Sequence, residues 1–287
     1  MIKKWCLSSL LLLVTCYVSA QYTEIINSNR PGVSISAFSV GKNVIQGEAG
    51  FFYERQEHSK LLTESNFIGF DFALRTGFFL EQLEIAWEGV FQREQITYMN
   101  FFPAITDTRS NFLNHTMGLK YLIYDPYKDP EKINVYSWKA NNTFQWKDLI
   151  PAIAVYAGVN LAYRDNPFWP DDSDPSPKVT LATQHHFGSR WVFVTNITYD
   201  RFTTDDPVFN YVITLTHALN NPKWSIFAEH QGFKSKAYGD GIFRAGAAHL
   251  INRNFQADAT FGINIKNTPS RLYGNIGLSY RLDYHKN

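Results

Sequence analysis

Apolar and polar residues alternate one by one along most of this chain. In the stretch "VIQGEAGFFYERQ", Ile45, Ala49, Phe51 and Tyr53 share one face, with Gln46, Glu48 and Glu54 on the other. In "FIGFDFALRTG", Phe70, Phe72 and Leu74 oppose Asp71, Ala73 and Arg75. "LEIAWEGVFQ" sets Leu83, Ile85, Trp87 and Phe91 against Glu84, Glu88 and Gln92. The same period of two runs through "MGLKYLIY", with Lys120 on its polar side, and through "NFQADATFGINIKN", with Asp258. It closes in "YGNIGLSYRL", where Arg281 lies opposite Leu282. This period predicts half-exposed β-strands and no amphipathic helices. Further strands are expected at 148–162, 177–188, 190–201, 207–219, 222–234 and 240–251.

With the opening segment this makes about twelve strands of roughly ten to fourteen residues. Soluble strands are mostly about five or six residues long, whereas a tilted strand needs about nine to eleven to cross a bilayer. The gaps between strands also alternate. Long or medium connections at 57–66, 95–112, 163–176, 202–206, 235–239 and 267–272 take turns with short ones near 77–80, 188–189, 220–221 and 252–254. The gap at 125–147 breaks this rule and would be a large excursion on the side of the short turns. Short turns at one end and longer loops at the other are the habit of membrane barrels. The fold class expected is all-β: a single antiparallel transmembrane β-barrel of about twelve strands. Aromatics near strand ends (Trp191, Tyr199, Trp224, Phe233 and Tyr273) would form its interfacial girdles.

Composition agrees. Aromatics reach 16% while charged residues are only 18%, yet no later run approaches the ~18 apolar residues of a membrane helix. The first residues, "MIKKWCLSSLLLLVTCYVSAQ", read as a cleavable export signal: Lys3 and Lys4, an apolar run from Leu7 to Val14, and a small-residue site ending at Ala20. The expected organisation is a signal peptide at 1–20, a periplasmic lead-in at 21–43 and the barrel at 44–287. Removing the signal takes 27 basic residues to 25 against 26 acids. No basic stripe suggests nucleic acid. Cys6 and Cys16 lie in the signal, so the mature chain would have neither disulfides nor thiolate metal sites.

The chain opens on an Arg-Pro stretch (Asn29-Arg30-Pro31-Gly32), followed by a Gly-rich strand with a glutamate (Gln46 to Phe51) and later a strand with a central Glu (Phe227-Ala228-Glu229). Near its end come an Asn-x-Gln-x-Asp strand (Asn254 to Gly262) and a closing Gly-x-x-Tyr-Arg strand (Gly277 to Arg281). Together these stretches resemble the bacterial outer-membrane "transporter" family named for the meta-pathway of phenol degradation. Asn29 stands where the family carries Asp, and the chain runs past Leu282. The resemblance implies an outer-membrane barrel of a Gram-negative bacterium with a transport role, folded by the outer-membrane assembly machinery and embedded in lipid.

If the apolar faces meet lipid, the lumen collects Glu48, Glu54, Asp71, Arg75, Glu84, Glu88, Lys120, Glu229, Asp258 and Arg281. These would either rigidify the barrel as ion pairs or form a charged constriction that selects a small solute. Pro31 cannot donate to a strand ladder, so Arg30 and Pro31 enter as a loop or an edge. Charge complementarity would turn Arg30 toward the lumen acids. His115, His185, His186, His217, His230 and His249 have no metal-ligand spacing, since adjacent strand residues face opposite ways. No metal, cofactor or catalytic residue is expected. Two alternatives stay open: a barrel-wall hydrolase using Ser225 and His217, and a soluble periplasmic β-sandwich binding sugars. For the barrel, Arg or Lys at Ala259 or Leu278 should cost ~2–4 kcal/mol, and the same change at Thr260 should be mild.

Overall fold

The computed structural model describes residues 23–128, 149–163, 165–170, 174–188 and 190–285. The expected signal peptide and most of the 125–147 excursion lie outside them. Twelve strands follow one another: β1 (Val44–His58), β2 (Thr63–Gly77), β3 (Leu83–Tyr98), β4 (Ile105–Tyr124), β5 (Ala152–Asn160) and β6 (Ser176–Phe187). Then come β7 (Trp191–Asp200), β8 (Val208–Ala218), β9 (Trp224–Lys234), β10 (Gly239–Asn252), β11 (Phe255–Asn264) and β12 (Ser270–Asp283). Each pairs antiparallel with its neighbours in sequence, and β1 closes on β12, so the sheet has no first or last strand. Closure pairs the backbone groups that an open sheet would leave at its edges.

Side-chain polarity is inverted relative to a water-soluble domain. Arg75, Arg281, Lys120, Gln46 and Glu84 are among the most deeply buried large side chains. Phe51, Ile68 and Ile276 stand on the outside at 69%, 63% and 65% exposure. An exterior this apolar needs lipid around it. The soluble sandwich is therefore set aside: the apolar faces that would have packed together point outward.

The loops differ from expectation at the end far from the termini. The gaps expected at 57–66 and 95–112 shrink to 59–62 and 99–104, because β1 to β4 extend further. Polar positions such as Arg93, Gln95, Thr106 and Thr108 still form regular pairs between β3 and β4. A strand continues as long as its ladder is satisfied, whether or not its side chains are apolar. Two expected girdle residues also face the other way. Trp191, Tyr199 and Trp224 are exposed on the exterior. Phe233 pairs with the lumen-facing positions Asn210 and Asp240. Tyr273 lies inside too, its ring 5.9 Å from that of Phe52.

Candidate functional site

Residues 23–43 occupy the lumen. The segment enters at the end where β1 starts and β12 finishes, rises to a turn around Arg30 to Gly32, and descends again to Val44. It forms no regular strand, and an irregular backbone inside a membrane barrel must find its partners in the protein. Here the lumen side chains supply most of them, and wall backbone at Arg253, Gly77 and Tyr284 serves its two ends.

At the entry, Arg281 donates to the carbonyls of Thr23 and Glu24 at 2.7 and 2.8 Å. Gln46 and Arg75 both donate to the Asn27 carbonyl, at 2.9 and 2.8 Å. At the turn, Gln256 donates to the carbonyl of Arg30 (3.2 Å) and Thr260 to that of Pro31 (2.8 Å). Glu229 accepts from the amides of Val33 and Ser34. The Asn196 amide clasps Ile35 on both sides, accepting from its N–H at 2.6 Å and donating to its C=O at 2.9 Å. On the way down, the Val40 amide donates to Glu84 at 2.9 Å. Lys120 Nζ donates to the carbonyls of Ser36 and Phe38 at 3.1 and 2.8 Å. Small wall residues (Ala152, Ala154 and Ala182) make room there for Ala37 and Phe38, which pack against Leu122 in a small buried apolar cluster.

The Arg30 guanidinium is the central fastening. It is paired with Asp71 and with Asp258, and also bonds Asn275. Across the wall these positions are in register: Asp71 faces Gly50, Gly50 faces Gly277, and Gly277 faces Asp258. A Cβ at either glycine would overlap the guanidinium. Two adjacent glycines thus form a recess flanked by two acids, fitted to one flat cation. Below it, Arg75 pairs with Glu48 at 3.0 Å and Glu84 at 2.9 Å, and Lys120 reaches Glu84 at 3.1 Å. Taking such charges out of water is costly unless they are mutually paired, and each of these is.

All ten charged lumen positions expected from alternation point inward. Glu48, Asp71, Arg75, Glu84, Lys120, Glu229, Asp258 and Arg281 contact the N-terminal segment or its direct partners. Glu54 and Glu88 lie further toward the far mouth, paired with Arg271 at 2.9 Å and Lys178 at 2.8 Å. Strand alternation puts the neutral holders Gln46, Gln256, Thr260 and Asn275 on the inner face, and it does the same for Gln184 and Asn196, which carry no other signal in the sequence. Thr260, expected to tolerate a charge, instead touches Pro31. Asn29 Oδ1 accepts from the Ser36 amide at 3.0 Å, a bond that a carboxylate could make equally.

Between the segment and the wall of β6 to β11 lies a cavity of about 210 Å³, lined by Asn29, Pro31, Gln184, Val194, Thr214 and Ser225 among others. At the far mouth Tyr238 donates to Asp240 at 2.7 Å, and burial pushes its phenol up to about 12. Ser225 and His217 are not brought together. His217 pairs in register with Ile226 and packs at a tilt against Trp191 outside the barrel, with ring centroids 4.1 Å apart, whereas Ser225 lines the lumen. The hydrolase pair is split by the wall itself. His185 and His186 likewise face opposite ways, and no group of metal-ligating side chains occurs among the described residues.

The sequence profile of the family described as "Putative MetA-pathway of phenol degradation" matches residues 28–282. The chain belongs to that family. Its match begins just before Arg30 and ends just after Arg281, so most of the lumen segment and nearly all of the barrel fall within one family unit. No curated relative matches the chain significantly. Among solved structures it is similar to an outer membrane channel from Pseudomonas putida F1, at 9% identity and a TM-score of 0.56, covering 90% of this chain and 100% of that one. It is also similar to the beta domain of the Bordetella autotransporter BrkA, at 8% identity and 0.50, covering 84% and 100%. At such identities the likeness concerns the fold.

Proposed function

We propose that this member of the phenol-degradation family is an outer-membrane channel for a small solute, with its N-terminal segment acting as a lumen plug. The signal peptide would be cleaved after Ala20, leaving both termini in the periplasm and the far mouth outside the cell. The observation that carries the reading is the attachment of 23–43 to the lumen. Between Asn27 and Val40 it is held by side-chain hydrogen bonds and ion pairs, which can exchange for water; backbone bonds to the wall lie at its ends, from Ile26 to Arg253 and at Lys42 and Asn43 beside Gly77. A plug required only for rigidity could be packed apolar at lower cost; a polar one can be released.

The family description supports an aromatic solute. The chain's charged lumen sets the preference among solutes, since rings of fixed charge act as electrostatic filters. Single-channel recording in planar bilayers tests this. Current steps interrupted reversibly by phenol or catechol, and not by an aliphatic alcohol of similar size, are the expected result. A bilayer that stays silent although folded barrel has inserted would contradict it.

A further inference from the structure

The wall is not continuous around its full height. The outer part of β4, from Ile105 to Asn114, pairs with β3, but β5 reaches only to Asn160, opposite Thr116. One more backbone bond, from the Leu161 amide to the His115 carbonyl at 2.7 Å, ends the ladder. Above it, no strand among the described residues lies against this edge of β4. At the break β4 carries a bulge: Val90 pairs with Asn114 and Phe91 with Phe112, leaving Leu113 extra. Bulges bend a strand and re-aim its groups.

Side chains close the gap in place of a strand. Asn166 donates to the Phe112 carbonyl at 2.8 Å and the Trp169 indole to the Leu113 carbonyl at 2.6 Å. Arg201 stacks on Trp169 at 3.6 Å. The cavity left at this point is about 10 Å³, space for about one water. On the lumen side the gap opens on Asn160 and Ser176, both buried. On the lipid side it is faced by a stack of flat rings: Phe112 on His115 at 4.9 Å, and both on Tyr163 at 5.3 and 5.5 Å, all within 18° of parallel. Phe91 extends the stack edge-on. The exterior turns polar just beyond, at Arg93 and Gln95, so the gap sits at the outer boundary of the apolar band.

We infer that this break is a lateral portal, through which a small apolar aromatic solute passes between the lumen and the outer part of the membrane. The inference rests on the channel reading above. Opening it requires the side-chain hydrogen bonds of Asn166 and Trp169 to be given up, with those of Tyr163 to His115 and of Arg109 to the Pro167 carbonyl beside them, and an indole to rotate, with every strand pair kept. A ring leaving the lumen would meet other rings on which it can stack.

The test uses the full chain in proteoliposomes, with Leu113→Cys and Trp169→Cys joined by a flexible bis-maleimide. Phenyl azide serves as the photoreactive apolar probe. Before linkage, illumination is expected to label lumen residues near Asn160 and Ser176. After linkage, labelling should fall roughly tenfold while single-channel conductance stays unchanged. Trp169→Ala, which unlocks the gap without a cross-link, should raise labelling. Equal labelling with and without the link, in a protein that still conducts, would overturn the portal and leave the channel standing. A fall in conductance parallel to labelling would also overturn it, by placing the loop on the axial path. Neither current nor labelling in the unlinked protein would overturn the channel reading and the portal with it.

Discussion

Arg30 Nε and Nη2 donate to different oxygens of the Asp258 carboxylate, at 3.2 and 3.1 Å, across 228 residues of sequence. This two-pronged pair ties the turn of the lumen segment to the barrel wall, with Asp71 on the other side of the same guanidinium. Arg30→Ala leaves two acids in a recess built for a cation. Removing one partner of a buried pair costs about 3–5 kcal/mol, and here the loss falls on the attachment of the segment. Hydrogen exchange should show the amides of Val33 to Val40 losing protection while strand amides keep theirs. Unchanged protection would mean that Arg30 is incidental.

The recess makes a steric prediction that leaves every charge in place. Gly277→Ala puts a methyl group where the guanidinium lies, whereas Gly274→Ala, three residues away on the outer face, meets nothing within 4 Å. The first should release the segment as Arg30→Ala does, because the arginine tip can move and the wall cannot. The second should be silent. Both variants are expected to fold, as judged by faster gel migration of unheated protein.

Lys120 tests the descending limb. Lys120→Met keeps the stem's volume and removes the donors to the Ser36 and Phe38 carbonyls, while Arg75 still covers Glu84. Stranding buried acceptors costs about 1–3 kcal/mol each. A lower urea midpoint for exposure of the segment, with an unchanged midpoint for the barrel, is the expected pattern. Coincident shifts of both would show that segment and barrel unfold as one unit.

The two faces of the wall should fail differently. Leu278, exposed between Ala49 and Ala257, faces lipid, and Leu278→Arg should lower barrel stability by ~2–4 kcal/mol. Thr260→Arg points inward against Pro31 and should spare the barrel while displacing the segment. Folding titrations read the first effect and exchange of the Val33 amide the second. The opposite assignment of effects would mean that the faces are reversed.

Alternation made the barrel legible because one strand face must meet lipid and the other the lumen, and both signals are written in every strand. It could not place Tyr273 or Phe233, since an aromatic ring is at home in either environment; Tyr273 turns inward to meet Phe52. Nor could it show where β3 and β4 end, because their outer halves are polar on both faces and are held by backbone pairing alone. The lumen segment has no period at all. Its one sequence signal was a cation beside a proline in a chain whose lumen carries an excess of acids. Its many neutral holders, such as Asn196 and Gln184, look like any polar strand residue until an unpaired backbone is laid beside them.

The most direct test of the plugged channel compares single-channel conductance of the full chain with that of a chain lacking residues 23–40, both folded as barrels. The truncated chain is expected to conduct severalfold more, since the segment fills the lumen from Arg281 to Glu229. Indistinguishable conductances from two folded barrels would show that the segment does not limit the pore.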